Sequence, residues 1–370
     1  MSTPSLVRAG VVAIIVGGGL VASPPVAGAA FSGGPPVCGG LIAYNRNPGI
    51  PGTLVASQIL AIPAGAPTDG APRVIWDDPA EAHAELDPAW SPDGRSIAFA
   101  TVEPAGVSAE GFPLINSRLK VLRPGASEPE TVIEQLGQRG GLRQPTWSPD
   151  GTRIAYLTGV PPIDKPYQGL SWVHVVDVAT TSDRFLTGVE LTAQRTVALT
   201  WSPRGDQLLF TAWEVNTGNW TIYSTRPDPA DPQLTARVSN DPSREPRVNV
   251  ALPVMYPAYL PGGSALLVEH EGADEASTGL DLTSTGFDRF LPVLIAEGFN
   301  GQADFGISPL QAVYRHGTGN NLLSPNESSI EVLTLPSGRS KTLVPPEDGV
   351  LVDQPDWQPA FGCRPWPFTT

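Results

Sequence analysis

The residues of this chain whose types could do chemistry are a set of polar side chains and three histidines. Asp87, Arg143 with Gln144, Tyr256, Asp304, and Asp353 with Gln354 stand just ahead of a recurring position occupied by Trp90, Trp147, Tyr259, Ile307 and Trp357. Carboxylates, amides, a guanidinium and a phenol gathered at one mouth could bind a polar ligand or a cation, although polar residues are also what any solvated rim displays. His270 and His316 follow their recurring positions by eleven and nine residues, and His83 leads into Asp87. Imidazole is a common metal ligand, so these three are the candidate metal set. His174, inside SWVHVVDV, reads as a strand residue with a local hydrogen bond. No G-x-S-x-G nucleophile elbow occurs, and no cofactor is implied. Asp77 with Asp78, and Glu269 with Glu271, are ordinary neighbours in a chain with 37 acidic residues and carry no acid–base assignment.

What must position these residues is a repeat. AELDPAWSPDGRSIAFA, GLRQPTWSPDGTRIAYL, RTVALTWSPRGDQLLFT and PVMYPAYLPGGSALLVE align on Trp90, Trp147, Trp201 and Tyr259, followed by an eroded copy on Ile307 and a truncated one on Trp357. Self-similarity at a period near fifty marks a radial or stacked β array. In SPDG, proline presets φ for a type I turn, Asp suits the next position and Gly takes the left-handed one, which predicts a tight bulged hairpin. Strand A then ends at the aromatic, and strand B starts at Ile97, Ile154, Leu208 or Leu266. Further strand-like runs follow in each unit (RLKVLRP and ETVIEQL; WTIYSTR and QLTARVS). Four strands per unit make a propeller blade, and the recurring aromatic packs where one sheet meets the next.

The pattern P-x-W-S-P-D-G, followed by an I-A-F/Y strand, resembles the WD40-like repeat of the TolB-type β-propellers. The resemblance covers nearly the whole chain after its first thirty residues. It implies an all-β fold of six four-stranded antiparallel blades. TolB carries an α/β domain ahead of its propeller, and no such domain is expected here. The lyases of TolB type suggest a metal site in the channel for His83, His270 and His316. Two strands out from the axis, at about 4.8 Å per strand, equivalent histidines of adjacent blades stand on the order of 10 Å apart, whereas ligands to one zinc lie about 2 Å from it.

The truncated last copy stops after strand A, and CGGLIAYNR opens with a strand B that has no strand A before it. One blade is therefore expected to combine both ends of the chain, which gives six. Cys38 and Cys363, the two cysteines, then fall where other blades have their A–B hairpin, and an exported protein is expected to bridge them. By chain entropy such a bridge contributes about 4 to 5 kcal/mol.

Arg8, the apolar run from Val11 to Ser23 and the small residues up to Ala30 read as a secretory signal. The expected organisation is a signal peptide at 1–29, a linker at 30–37, the propeller at 38–363 and a tail at 364–370. The run is short and glycine-rich for a bilayer span, so no stable membrane insertion is expected after cleavage. With 41 Pro, 39 Gly and a net charge of −14 over 370 residues, turns are plentiful and no basic stripe exists for nucleic acid. The reading is an exported monomer, in the periplasm, cell wall or medium. It binds a protein, peptide or glycan of the cell envelope on the long B–C loops, and the alternative is a carbohydrate lyase or hydrolase using the channel mouth.

Overall fold

Runs such as IAFAT and RIAYLT are apolar at successive positions, which suits strands covered on both faces. The structure is a computed structural model. It describes residues 40–359 apart from 48–56, 68–69, 78–83, 110, 112, 161–169, 187–193, 215–218, 229–232, 241–247, 251–252, 272–276, 296–297, 307, 319–326 and 336. Cys38, Cys363, His83, Ile307, the signal segment 1–29, the linker 30–37 and the tail 364–370 therefore lie outside the described residues.

The strands form six sheets. Blade 1 holds β1 (Leu41–Asn47), β2 (Gln58–Pro63) and β3 (Arg73–Trp76). Blade 2 holds β4 (Ala84–Trp90), β5 (Ile97–Val107), β6 (Pro113–Leu122) and β7 (Glu130–Gln138). Blade 3 holds β8 (Leu142–Trp147), β9 (Arg153–Val160), β10 (Leu170–Asp177) and β11 (Asp183–Phe185). Blade 4 holds β12 (Gln194–Trp201), β13 (Leu208–Glu214), β14 (Asn219–Thr225) and β15 (Thr235–Ser239), with a fifth, two-residue strand β16 (Val248–Asn249) added in parallel. Blade 5 holds β17 (Val254–Tyr259), β18 (Ala265–Glu271), β19 (Thr278–Ser284) and β20 (Phe290–Ile295). Blade 6 holds β21 (Phe299–Phe305), β22 (Gln311–Thr318), β23 (Glu327–Thr334) and β24 (Arg339–Val344). The last strand, β25 (Leu351–Trp357), pairs antiparallel with β1 and completes blade 1 from the other end of the chain. The fold is an all-β, six-bladed propeller closed by strands from both ends of the chain.

Closure continues past β25. Gln358 N–H donates to Leu41 O, Leu41 N–H donates to the Gln358 side chain, and Gln358 Nε2 donates to Gly94 O in the hairpin of blade 2.

The core is distributed around the ring. Trp147 of blade 3 packs with Ala89, Ala98 and Leu119 of blade 2, and Trp201 packs with Ala155 and Val173 of blade 3. Trp90 packs with Ala43 and Ile59 of blade 1, and Trp357 packs with Val313 and Ile330 of blade 6. The recurring aromatic therefore bridges blades, as its position predicts.

One anchor differs from the sequence reading. In blade 6 the residue paired as Trp90 is with Ile97 is Phe305, opposite Ala312, and not Ile307. Two extra residues, Gly306 and Ile307, separate this aromatic from Ser308-Pro309, so an alignment on the Ser-Pro pair slides past it. Gly306 is required there: a Cβ would sit 2.6 Å from the Trp357 ring. Gly306→Ala is expected to destabilise the protein by about 1 to 3 kcal/mol through overpacking, read as a lowered midpoint in urea.

Candidate functional site

Each innermost strand carries one extra residue three positions before its aromatic. In blade 2, Trp90 and Ala89 pair with Ile97 and Ala98, but the next pair is Leu86 with Ala100. At the bulge the backbone turns left-handed: Asp87, Gln144, Ala198, Tyr256, Gln302 and Gln354 have φ between 47° and 57°. Such a conformation costs a non-glycine residue roughly 1 to 2 kcal/mol, so something must hold it. In four blades the next residue is Pro88, Pro145, Pro257 or Pro355, which disfavours the right-handed helical conformation before it and has no N–H to lose from the ladder.

The side chain of one blade also accepts a hydrogen bond from the left-handed residue of the next. Gln144 N–H donates to Asp87 Oδ2 (2.7 Å), Ala198 N–H to Gln144 Oε1 (2.6 Å), and Gln354 N–H to Gln302 Oε1 (3.1 Å). Ala198 has no side chain to offer, and Thr211 Oγ1 on β13 accepts from Tyr256 N–H instead, at 3.2 Å. A second tier uses carboxylates: Trp357 N–H donates to Asp304 Oδ2 (2.7 Å) and Trp90 N–H to Asp356 Oδ1 (2.9 Å).

Of the rim residues named from sequence, Asp87, Gln144, Tyr256, Asp304 and Gln354 line a central cavity of about 150 Å³. Asp304 stands one residue before its anchor, at the position of Asp356, and the true counterpart of Asp87 in blade 6 is Gln302. Arg143 and Asp353 are not on its wall. The Asp353 carboxylate binds Arg315 at 3.2 Å, and the Arg143 charge acts on Asp87. Gln302, Asp356 and Thr211 belong to the same inter-blade belt, and sequence reasoning missed them.

Asp87 is 4% exposed, and its Oδ1 has no hydrogen-bond partner. Burial raises its pKa to about 6, against the pull of Arg143 and the Gln144 N–H. Burial likewise raises Asp304 to about 6, while Asp356 is pushed well up by burial and then by the neighbouring Asp304 charge.

The histidines are held separately. The His270 ring meets Asp281 at 3.1 Å inside blade 5, and the His316 ring meets Asn300 Oδ1 at 2.8 Å inside blade 6. His174 makes its local contact with Asp183 at 3.0 Å. Among the described residues no group of three or more His, Cys, Asp or Glu is placed to hold a metal ion.

The A–B hairpins build more than their residues suggest. Their glycines Gly94, Gly151, Gly205 and Gly263 are left-handed, as the turn requires. A Cβ on Gly151, Gly205 or Gly263 would touch Pro92, Pro149 or Pro203 of the preceding blade. The turns thus stack around the axis and surround a funnel of about 790 Å³, walled by Trp147, Trp201, Tyr259 and Phe305 with those prolines, and by Asp93 and Asp150. Thr200 and Asp304 line both cavities. The opposite face, where ligand binding was expected, is built from B–C connections that fall largely outside the described residues.

No protein-family model and no curated protein matches the chain. Solved structures do. TolB from Acinetobacter baumannii matches with a TM-score of 0.57 at 17% identity, covering 87% of this chain and 67% of that one. This is a TolB-like propeller fold. A TolB from Agrobacterium tumefaciens, described as putative in its name, matches this TolB-like propeller at 0.51 and 15% identity over 83% and 91% of the two chains. Kuenenia stuttgartiensis hydrazine synthase matches it at 0.57 and 12% over 86% and 46%. At these identities the likeness establishes the fold, which serves unrelated functions. Among the described residues no helix is long and apolar enough to cross a membrane.

Proposed function

We propose that this TolB-like propeller is an exported, non-catalytic binding module that captures a protein or peptide of the cell envelope. The observation that carries the reading is the hairpin-face funnel. Its 790 Å³ falls within the roughly 300 to 1,000 Å³ of ligand sites, and its wall of aromatic edges and prolines suits apolar side chains of a polypeptide better than the hydroxyls of a glycan. The channel beyond it, at about 150 Å³, is below that range, and its polar groups are largely engaged between blades. The preferred surface is therefore the hairpin face and not the loop face.

A carbohydrate lyase or hydrolase is the second reading, favoured by the unpaired buried oxygen of Asp87. Turnover of a glycan that is lost in Asp87→Asn, with the fold intact, would establish it.

The test of the binding reading compares wild type with Thr200→Trp, which places an indole where funnel and channel adjoin. Capture of an envelope or culture-fluid partner is expected to fall at least tenfold in the variant while the melting midpoint stays within a few degrees. Equal capture by both proteins refutes the funnel as the site.

A further inference from the structure

We propose that the channel below the funnel receives the ammonium of a lysine side chain from the polypeptide partner. This rests on the funnel being a polypeptide site, as proposed above, and names the chemistry that the partner must carry.

The charge of the channel is one-sided. Asp87, Asp304 and Asp356 line it, and among the described residues of its wall there is no Lys, Arg or His. Asp87 is 4% exposed and its Oδ1 has no hydrogen-bond partner, so one carboxylate oxygen is already out of water with no donor. A charge held in that state is costly unless a cation reaches it. Burial raises Asp87 and Asp304 to about 6 for this reason, and an ammonium beside them would reverse the shift. Arg143 acts on Asp87 from outside the wall. The funnel wall holds one cation among its described residues, Arg123, which pairs with Glu130 at 3.1 Å and does not line the channel.

Access and size select the kind of cation. Thr200 and Asp304 line both cavities, so a group descending from the funnel meets Asp304 first. A volume of about 150 Å³ is too small for a whole ligand and suits one unbranched side chain. Among the described residues no three carboxylates or histidines are placed to hold a metal ion. An ammonium needs less convergence, because its three donors sit on a flexible stem and can each find a separate acceptor. Asp304, Asp356 and Asp87 each commit one oxygen to an inter-blade N–H, from Trp357, Trp90 and Gln144. A guanidinium fork wants both oxygens of one carboxylate, so lysine fits this wall better than arginine.

The probes are Nα-acetyl-lysine methylamide and its norleucine counterpart, which differ only in the ammonium. They are titrated into the full chain by calorimetry at neutral pH, beside n-butylammonium and calcium chloride. The lysine probe is expected to bind at least tenfold more tightly than the norleucine probe and than n-butylammonium. Asp87→Asn/Asp304→Asn, whose amide oxygens can still accept the inter-blade N–H groups, should bring the lysine probe down to the norleucine level. Thr200→Trp should do the same by closing the neck. If the double variant does not fold, the probe ratios in wild type decide alone. Equal binding of the lysine and norleucine probes overturns the ammonium site while leaving the funnel as an apolar polypeptide site. Binding of n-butylammonium as tight as that of the lysine probe assigns the channel to free amines. Displacement of the lysine probe by calcium, and not by sodium at equal ionic strength, assigns it to a metal ion. Either result overturns the proposal. Binding of none also overturns it, and partner capture with Thr200→Trp then judges the funnel independently.

Discussion

Replacing Trp147 with alanine is expected to lower the unfolding free energy by about 3 to 5 kcal/mol, a fall in melting temperature on the order of 10 °C. Two losses combine. The indole is nearly fully buried between blades 2 and 3 against Ala89, Ala98 and Leu119, so its removal leaves a cavity that two rigid sheets cannot collapse to fill. Its Nε1–H also donates to Ala89 O across the interface at 3.1 Å, and a buried carbonyl left without that donor adds about 1 kcal/mol or more. Trp147→Phe keeps most of the apolar body and loses the donor, so it should fall between wild type and alanine. Calorimetry of the three proteins checks the order. A Trp147→Ala protein as stable as wild type would remove the inter-blade role of the repeated aromatic.

The second large effect concerns pH. Glu269 on β18 is 3% exposed, and burial raises its pKa from 4.5 to about 8 despite the Arg315 charge, the Thr278 hydrogen bond and the nearby His270, with Glu271 adding to the rise. Its carboxyl lies so close to β21 that a Cβ on Gly301 would overlap it. A carboxyl that keeps its proton in the fold and loses it when unfolded contributes stability that is fully present below about pH 4.5. That contribution declines as pH rises and is gone above about pH 8. The decline amounts to a few kcal/mol. In Glu269→Gln the amide stays neutral throughout, so the variant should gain on wild type progressively between pH 5 and 8 and run parallel above. His270, whose pKa is raised by the facing Asp281 and to a lesser degree by Glu269 itself, titrates in both proteins, and the comparison reads Glu269 together with this coupling. Urea unfolding of the pair at pH 5, 6.5, 8 and 9 measures it, and a constant difference across that range rejects the buried neutral carboxyl.

How much of this was legible in the residues depends on whether a property belongs to one unit or to the relation between units. The WSPDG hairpins, strand starts at Ile97 and Leu208, and pairing of the two chain ends could all be read, because a turn's φ requirements and an alternation of strands are local. Phe305 was misplaced as Ile307 because two residues inserted before Ser308 shift the motif without shifting the pairing. Five of the seven rim residues lie on the wall of the central cavity, Asp304 at a different position in its strand from the one read, and their engagement was not visible. It depends on a left-handed residue in one blade offering its N–H to the side chain of another, and its one trace in sequence is the proline after Asp87, Gln144, Tyr256 and Gln354. Gln302 and Ala198 lack that proline and were passed over. The funnel was missed because its depth comes from several short turns set around an axis, and no single turn carries it.

The β1–β25 pairing also bears on biogenesis. Ribosomes make Leu351–Trp357 some three hundred residues after its partner strand, so for most of synthesis Ile42 and Tyr44 lack the Val352 and Trp357 side of their cluster and one edge of β1 is open to any passing strand. A polypeptide released before position 351 would lack the strand that completes its first sheet and one of the six seams, and would be prone to aggregate rather than persist as a shorter, functional toroid.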